Sequence, residues 1–279
     1  MKILITGASG FIGRHLTNDL ADHDLVLWSR TPPTAIHGIE YVASGDLANT
    51  AWWRDARIPA GVDAVIHLAE PVKIKLGRAA AESIIESHCA FLANACRASG
   101  LVIYPDTAYR YDRRVKSSNR TYLDIKRRVT RELLPYPSFN SPVIHPLLDS
   151  DGALSRLRRQ QRKVPLINPF SAFNARIPVL SVPELLVFFR DHIQNSDTRI
   201  MDWYGHIPTV GDLMADESRR DLITPSKILR RCLGPLSGLP AVSILLNGRA
   251  IPDSPNRSLN GWPGRPAPRD DCAHREGGH

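Results

Sequence analysis

Tyr122 and Lys126 stand in a Y-x-x-x-K spacing, which places both side chains on one face of a helix. A phenol with the ordinary pKa of about 10 is a poor acid or base at neutral pH. An ammonium group one helical turn away favours the phenolate and lowers that pKa. The pair therefore predicts proton transfer to or from a small molecule, although the spacing alone also occurs by chance in many proteins.

Thr107 adds a second hydroxyl just after the apolar run LVIY, residues 101–104. Ligands of doubly wound sheets bind at the carboxyl ends of the strands, where we expect this threonine to lie. Its hydroxyl can donate to a substrate carbonyl and stabilise the charge that develops on the oxygen. The alternative is an ordinary threonine in a turn.

Three glycines predict the element that would hold a cofactor beside these groups. In residues 1–16, MKILITGASGFIGRHL, an apolar strand leads into Gly7, Gly10 and Gly13, and an apolar-periodic helix follows. Such a unit lays a dinucleotide pyrophosphate on a helix N-terminus. Gly7 would allow the tight turn, Gly10 the approach of the backbone to the phosphates, and Gly13 the packing of helix on strand. A glycine turn without a ligand is the alternative.

Apolar strands alternate with amphipathic helices through the first half of the chain, which predicts an α/β fold with a doubly wound parallel sheet of the Rossmann type. We expect strands at 2–6, 25–29, 39–43, 64–68, 101–104 and 142–145. We expect helices at 10–21, 78–98 and 122–134.

The second half has a less regular pattern, which predicts a smaller C-terminal substrate-binding lobe. We place the Rossmann domain at 1–146 and the lobe, partly interleaved with it, at 147–246. The lobe would contain an Arg-rich helix at 154–163, a strand leading into a helix in VLSVPELLVFFRDHI, and a small unit at 209–213 and 225–233. Pro, Gly, Arg and Asp dominate 247–279, so we expect a disordered tail there.

Composition favours a globular cytoplasmic protein. Hydrophobic residues make up 43% of the 279 residues and charged residues 23%. No apolar run of about 18 residues is present, and the N-terminus lacks a signal-peptide pattern, so we expect no membrane contact. The 4 cysteines form no C-x-x-C pair, which favours reduced thiols. The 10 histidines show neither H-x-E nor H-E-x-x-H spacing, so we expect no metal site.

The net charge of +8 leaves the class of partner open. The arginines are dispersed without aromatic interleaving or a recognition motif, so we expect no nucleic-acid partner, although a nucleic-acid binder is one alternative. Attraction to phosphorylated or nucleotide-linked small molecules explains the charge equally well.

Several motifs in the same order resemble the extended short-chain dehydrogenase/reductase family, the NAD(P)-dependent epimerase/dehydratase group. The resemblance covers roughly residues 1–235. It rests on TGASGFIG at 6–13, SGDL at 44–47, AVIHLAE at 64–70, YPDTAYRY at 104–111, YLDIK at 122–126, VIHPLL at 143–148 and VLSVPELL at 179–186.

The resemblance implies a hydride-transferring enzyme with a nicotinamide cofactor. Tyr122 would move the proton, Lys126 would tune it and contact the cofactor ribose, and Thr107 would polarise the reacting oxygen. Asp46 would contact the adenine. The residues predicted to contact the cofactor are Gly7, Ser9, Gly10, Phe11, Ile12, Gly13, Ser29, Arg30, Asp46, Leu47, Leu68, Ala69, Glu70, Tyr122, Lys126 and His145.

Some positions depart from the family's pattern. Glu70 replaces an alanine, Pro105 and Asp106 replace small hydroxyl residues, and His145 stands where arginine is usual. The asparagine usual in the middle helix is not recognisable near 87–93, and the interval between the catalytic threonine and tyrosine is short. These departures motivate an alternative, a regulatory module that keeps the cofactor pocket without turnover.

The second strand indicates which cofactor is preferred. It ends at Ser29 and Arg30, where NAD-binding proteins place an acid against the ribose 2′-hydroxyl. A hydroxyl followed by a cation suits the 2′-phosphate of NADP(H), which we therefore favour over NAD(H). A solvated loop arginine is the alternative for Arg30.

The substrate implied by the resemblance is a nucleotide-activated sugar, with ketoreduction or epimerisation as the outcome. A reductase of a non-sugar carbonyl in secondary metabolism is the related alternative. Relatives often pair through a helix bundle, so a homodimer is a further expectation. Cations that could meet a substrate diphosphate, or else form a solvated face, are Arg156, Arg158, Arg159, Arg162, Lys163 and Arg176.

Overall fold

The computed structural model describes residues 1–32, 40–47, 49–70, 77–108, 117–145, 147, 167–168, 179–195, 202–205 and 220–221. The strands are β1 (Lys2–Thr6), β2 (Asp24–Ser29), β3 (Glu40–Ala43), β4 (Ala64–His67), β5 (Leu101–Ile103), β6 (Asp106–Thr107), β7 (Phe139–Asn140), β8 (Val143–Ile144), β9 (Ile167–Asn168), β10 (Asp202–Trp203) and β11 (Arg220–Asp221). The helices are α1 (Phe11–Asp19), α2 (Thr50–Asp55), α3 (Arg78–Ala98), α4 (Ser117–Leu133) and α5 (Val182–Gln194).

The main sheet has six strands in the order β3-β2-β1-β4-β5-β7, and every pair is parallel. In register, Ile5 of β1 lies between Leu27 of β2 and Ile66 of β4. The strand order reverses between β1 and β4, which is where doubly wound sheets bind their ligands. The predicted fold class is confirmed.

Both faces of this sheet are buried, because successive strand residues point to opposite sides. Leu4, Val65 and Val102 face a core that α2, α3 and α4 complete. Ile5 and Ile66 face a second core, which α1 and α5 complete. None of the described helices is long and apolar enough to cross a membrane.

The sixth strand of the main sheet differs from the prediction. Phe139 and Asn140 pair with β5, whereas the predicted strand at 142–145 does not join this sheet. Pro142 has no amide hydrogen to give to a ladder, and the chain leaves the main sheet there. Val143 and Ile144 then pair with β6 and β10 in a separate three-stranded sheet.

Two helices also differ from expectation. The short α2 was not predicted; the side chain of Asn49 caps it by accepting from the backbone N–H of Trp52. Helix α4 begins at Ser117 rather than at residue 122, so Tyr122 and Lys126 lie inside it. The predicted elements at 154–163, 209–213 and 225–233 and the predicted tail at 247–279 lie outside the described residues.

Helix α5 follows the apolar pair Val179 and Leu180, as VLSVPELL predicts. A capping box starts it: the Ser181 hydroxyl accepts from the Glu184 backbone, and the Glu184 carboxylate accepts from the Ser181 backbone. Arg190 ties this helix to the end of α1 by an ion pair with Asp19 at 2.7 Å. The helix therefore belongs to the layer that covers β1.

Candidate functional site

The glycine turn between β1 and α1 forms a backbone cradle. Gly7 has φ +69°, and a Cβ there would lie 2.8 Å from the backbone nitrogen of Ala69. A Cβ on Gly13 would lie 2.7 Å from the Cα of Ala8, and one on Gly10 would lie 3.0 Å from the Gly7 carbonyl oxygen. Neighbouring backbone therefore leaves no room for a side chain at Gly7 or Gly13 and little room at Gly10.

The start of α1 offers backbone donors to an anion. Gly10 is the N-cap and has no side chain to cap the helix, and its own N–H donates to the Gly7 carbonyl at 2.9 Å. The amide groups of the first turn have no partner within a helix and carry the positive end of its dipole. A helix start of this kind is the type of site that binds a dinucleotide pyrophosphate. The other predicted cofactor contacts at this edge are half-buried: Ser9, Phe11, Ile12, Leu47, Leu68 and Ala69.

The end of β2, where the adenosine ribose was predicted, contains an ion pair. Arg30 Nη1 lies 2.9 Å from Asp46 Oδ2, with the side chains 72% and 47% exposed. Ser29 is buried, and its hydroxyl donates to the carbonyl of Thr31. The structure thus brings Arg30 and Asp46 together, and it directs the Ser29 hydroxyl to the chain's own backbone.

The predicted catalytic groups lie on two elements that follow β5. Thr107 is half-buried in β6, and its backbone N–H donates to Asp106 Oδ1 at 2.7 Å. Tyr122 is half-buried on α4, one turn before Lys126. All three thus come from segments that begin at, or pack beside, the carboxyl end of β5.

The Lys126 ammonium is held in a buried cage. The side chain is 3% exposed, and Nζ lies 2.8 Å from Glu70 Oε1. Nζ also donates to the Pro105 carbonyl at 2.6 Å and lies 3.8 Å from the centroid of the Tyr104 ring. The carboxylate that replaces the family's alanine thus supplies the counter-charge for the candidate catalytic lysine.

Tyr104 is a site residue that the sequence interpretation missed. It is fully buried, and burial raises the pKa of its phenol well above the usual value, with the charges of Glu70, Tyr122 and Asp106 adding to the shift. It therefore stays protonated at neutral pH, and its ring lies against the Lys126 ammonium. Its position as the last apolar residue of a strand run gave no signal of this role.

His145 is directed toward β10. Its Nε2 lies 3.2 Å from Asp202 Oδ1, and both side chains are buried. Its backbone N–H donates to the Trp203 carbonyl at 3.3 Å. The predicted diphosphate cations, Arg176 and the cluster within 156–163, lie outside the described residues.

Two histidines line the interior behind Glu70. His67 ends β4, and its Nδ1 lies 2.8 Å from the Thr6 hydroxyl. His88 lies on α3, with its ring centroid 5.0 Å from that of His67. Both are fully buried, and desolvation lowers the pKa of each, that of His67 well below the usual value. The two imidazoles are therefore neutral at pH 7.

Comparison with known proteins gives one family match. The profile of the NAD dependent epimerase/dehydratase family matches residues 3–124, which include the glycine turn and Tyr122. No curated protein sequence matches the chain.

Solved structures share the fold at low identity. The Bordetella bronchiseptica enzyme WbmG in complex with NAD is 14% identical, with 81% of each chain covered and a TM-score of 0.60. DesIV, a dTDP-glucose 4,6-dehydratase from Streptomyces venezuelae, is 17% identical, with 80% of this chain and 84% of that chain covered and a TM-score of 0.57. UDP-glucose 4-epimerase from Thermotoga maritima is 14% identical, with 84% and 83% covered and a TM-score of 0.57.

Proposed function

We propose, from the match of residues 3–124 to the NAD dependent epimerase/dehydratase family, that the protein is a nicotinamide-dependent oxidoreductase of the short-chain dehydrogenase/reductase type. The observation that carries this proposal is the glycine cradle at the start of α1, next to the sheet edge from which Thr107 and the Tyr122–Lys126 helix follow. Crowding of Gly7 and Gly13 by neighbouring backbone fits the tight turn and the close helix–strand packing of a dinucleotide-binding unit.

The cofactor would be held along this edge. The first turn of α1 and the glycine backbone would bind its pyrophosphate, and Tyr122 and Lys126 would face its ribose and nicotinamide end. When bound, the cofactor supplies a hydride acceptor or donor. Two of the three structures compared above contain NAD, which supports a nicotinamide cofactor here.

Tyr122 would exchange a proton with the substrate oxygen, and Thr107 would donate a hydrogen bond to that oxygen. The Lys126 ammonium, one turn from Tyr122, favours the phenolate. The Glu70 carboxylate at 2.8 Å offsets part of that effect, because it neutralises the ammonium. We therefore expect the pH midpoint of the activity that depends on Tyr122 to lie higher than it would with alanine at position 70.

A nucleotide-activated sugar is the proposed substrate, with ketoreduction or epimerisation as the reaction. Support comes from the relatives: the Thermotoga maritima structure contains UDP-glucose, and DesIV is a dTDP-glucose dehydratase. Reduction of a non-sugar carbonyl is the second candidate, because the substituted Pro105 and Asp106 adjoin Thr107. A homodimer is part of the proposal and is measurable by light scattering.

NADP(H) in preference to NAD(H) is also part of the proposal. It is supported by Arg30, a guanidinium 72% exposed at the end of β2. A 2′-phosphate there would have to compete with Asp46 for the guanidinium, so the preference we propose is modest.

The test combines binding with turnover. Purified protein is titrated with NADPH and NADH by fluorescence, and oxidation of each is then followed with a panel of UDP- and dTDP-linked keto-sugars and simple ketones. We expect cofactor binding together with turnover that Tyr122→Phe abolishes. Binding without turnover on any substrate would favour the regulatory module, and absence of binding would refute the proposal.

A further inference from the structure

A cluster of ligand-type side chains lies behind the candidate cofactor site, toward the interior. His67, Glu70 and His88 each offer one nitrogen or oxygen atom, and these atoms all lie within 4.8 Å of one another. The three residues come from the end of β4, the loop after it and the middle of α3. We propose that they form a binding site for one zinc-type transition-metal ion, which shares Glu70 with the Lys126 pair of the candidate active site.

The imidazole nitrogens of this cluster support the proposal most directly. His67 Nε2 and both ring nitrogens of His88 have no hydrogen-bond partner among the described residues, and both side chains are 0% exposed. Buried polar atoms are nearly always paired, because leaving them unpaired is costly. A metal ion bound among these residues would pair one ring nitrogen of each histidine, and these nitrogens lie within 4.8 Å of each other and of a Glu70 oxygen.

The orientation of His67 suits metal binding. Its Nδ1 lies 2.8 Å from Thr6 Oγ1, and that oxygen also accepts from the Ala69 backbone N–H at 3.3 Å. With the ring proton on Nδ1, donation to Thr6 leaves the Nε2 lone pair for the ion. A second hydrogen bond that fixes tautomer and ring position is the usual companion of a ligating histidine.

The donor set selects the type of ion. Two neutral imidazoles and one carboxylate are the ligands of many zinc sites, whereas magnesium and calcium require mostly oxygen ligands. The positive Lys126 ammonium lies 2.8 Å from Glu70 Oε1. Its charge further disfavours magnesium and calcium, because oxygen ligands hold these ions mainly by charge. It leaves Glu70 Oε2 for coordination, and the neutral phenol of Tyr104 lies beside the same carboxylate.

Binding requires a small contraction. Ligand atoms of a tetrahedral zinc ion with bonds of about 2.0–2.1 Å lie about 3.3 Å apart. The cluster atoms lie within 4.8 Å of one another. Side-chain rotations that move each ligand atom by about 1 Å would therefore bring these atoms to the separation found around zinc. Aromatic rings enclose the imidazoles: Trp53 lies 5.4 Å and Phe91 5.2 Å from the His67 ring, centroid to centroid. The shell keeps water away and strengthens coordination.

The test measures zinc content by inductively coupled plasma mass spectrometry. Tag-free full-length protein is produced in zinc-supplemented medium, dialysed against metal-free buffer and compared with His88→Gln and Glu70→Gln. The control is His192→Gln, since His192 is another buried histidine with both ring nitrogens unpaired among the described residues, but it packs on Trp203 in the other core. We expect about one zinc per chain in wild type and control, and at least a tenfold loss in both cluster variants.

The same comparison distinguishes zinc bound at the cluster from zinc bound elsewhere in the chain. Cys272 and His274 in the C-terminal segment are possible ligands, and the cluster variants leave them intact. Equal zinc content in all four proteins, or none in wild type, overturns the proposal. Cobalt-substituted wild type gives a second readout that does not require a variant to fold: we expect visible bands of a nitrogen and oxygen site, and a thiolate charge-transfer band would overturn the assignment.

Discussion

The Lys126 ammonium lies 2.8 Å from the Glu70 carboxylate, with the two side chains only 3% and 6% exposed. Both charges are thus withdrawn from water beside the candidate active site, and each depends on the other. Removal of one partner of a buried pair leaves an uncompensated charge, whereas an exposed pair contributes little to stability. This contrast can be measured within the same molecule.

Glu70→Gln should lower the free energy of unfolding by about 3–5 kcal/mol, because Lys126 remains buried without its counter-charge. The matched control is Glu82→Gln, which removes the half-exposed pair between α3 and Arg128 and should cost at most about 1 kcal/mol. Chemical denaturation of both variants gives the comparison. Equal losses would show that the Glu70 pair is no more important than a surface pair.

The same Glu70→Gln variant should shift the activity profile. Loss of the carboxylate leaves the ammonium charge unopposed near Tyr122, so the phenolate becomes more favourable. The pH midpoint of kcat should fall by on the order of one unit, which corresponds to about 1.4 kcal/mol. Retention of the wild-type midpoint would mean that Lys126 does not tune Tyr122.

Tyr122→Phe should leave cofactor affinity nearly intact and reduce kcat by about two orders of magnitude or more, because it removes only the transferable proton. Tyr104→Phe is the control: it keeps the ring 3.8 Å from Lys126 Nζ and removes a hydroxyl that burial keeps protonated. We expect the control to keep most of its kcat. A larger loss in Tyr104→Phe would assign the proton to the other tyrosine.

Arg30→Asp should shift preference from NADPH toward NADH by about tenfold, since it removes a phosphate partner and adds repulsion. Asp46→Asn is informative in the opposite sense, because it releases the guanidinium from the 2.9 Å ion pair and should tighten NADPH binding. The dissociation constants of NADPH and NADH, measured for wild type and both variants, test this prediction. If neither change alters the ratio, Arg30 does not contact the cofactor.

The main strands could be predicted because short apolar runs such as Ile3 to Ile5, each followed by a turn and a helical pattern, are typical of a buried parallel sheet. The sixth strand could not, since the apolar pair Val143–Ile144 is the stronger local pattern and residues 139–140 are only Phe-Asn. Which of the two segments joins the main sheet depends on which one pairs with β5, and that is decided only in the folded chain. Helix α2 has six residues, too few for a periodic pattern.

In the candidate site, local patterns could be predicted from the sequence, whereas contacts between distant residues could not. Glycine spacing and the Tyr122–Lys126 turn are local patterns, so the sequence predicts them directly. Pairing of Glu70 with Lys126, and of His67 with His88, joins residues far apart in the chain. Such pairs form only when β4, α3 and α4 pack together, and no spacing rule within one segment reveals them.

Gly13→Ala should destabilise the fold and weaken cofactor binding. The added Cβ would lie 2.7 Å from Ala8 Cα and would also meet the Gly7 carbonyl, both of which are backbone atoms with little room to move. Overpacking of this kind typically costs about 1–3 kcal/mol. Gly77→Ala is the matched control at the start of α3, where a Cβ has no neighbour within 4 Å among the described residues. Thermal melts with and without cofactor should separate the two variants.

His192 should make the protein less stable in mild acid. Desolvation lowers the pKa of this imidazole on α5, whereas in the unfolded chain it returns to about 6.5. The folded state therefore binds fewer protons below that pH, so the stability from this group is complete above about pH 6.5 and is lost as the pH falls toward the folded pKa. The loss is at most about 1.4 kcal/mol for each pH unit in that window.

His192→Gln should flatten this dependence, because glutamine takes up no proton. Unfolding free energies of wild type and variant, measured by denaturant titration from pH 7.5 down to 5, should approach each other as the pH falls. The exposed His15 on α1, changed to Gln in the same way, is the control for the substitution itself. Parallel curves for wild type and His192→Gln would show that the imidazole on α5 reaches water in the folded protein, and that the packing of its ring on Trp203 at 5.6 Å does not exclude a proton.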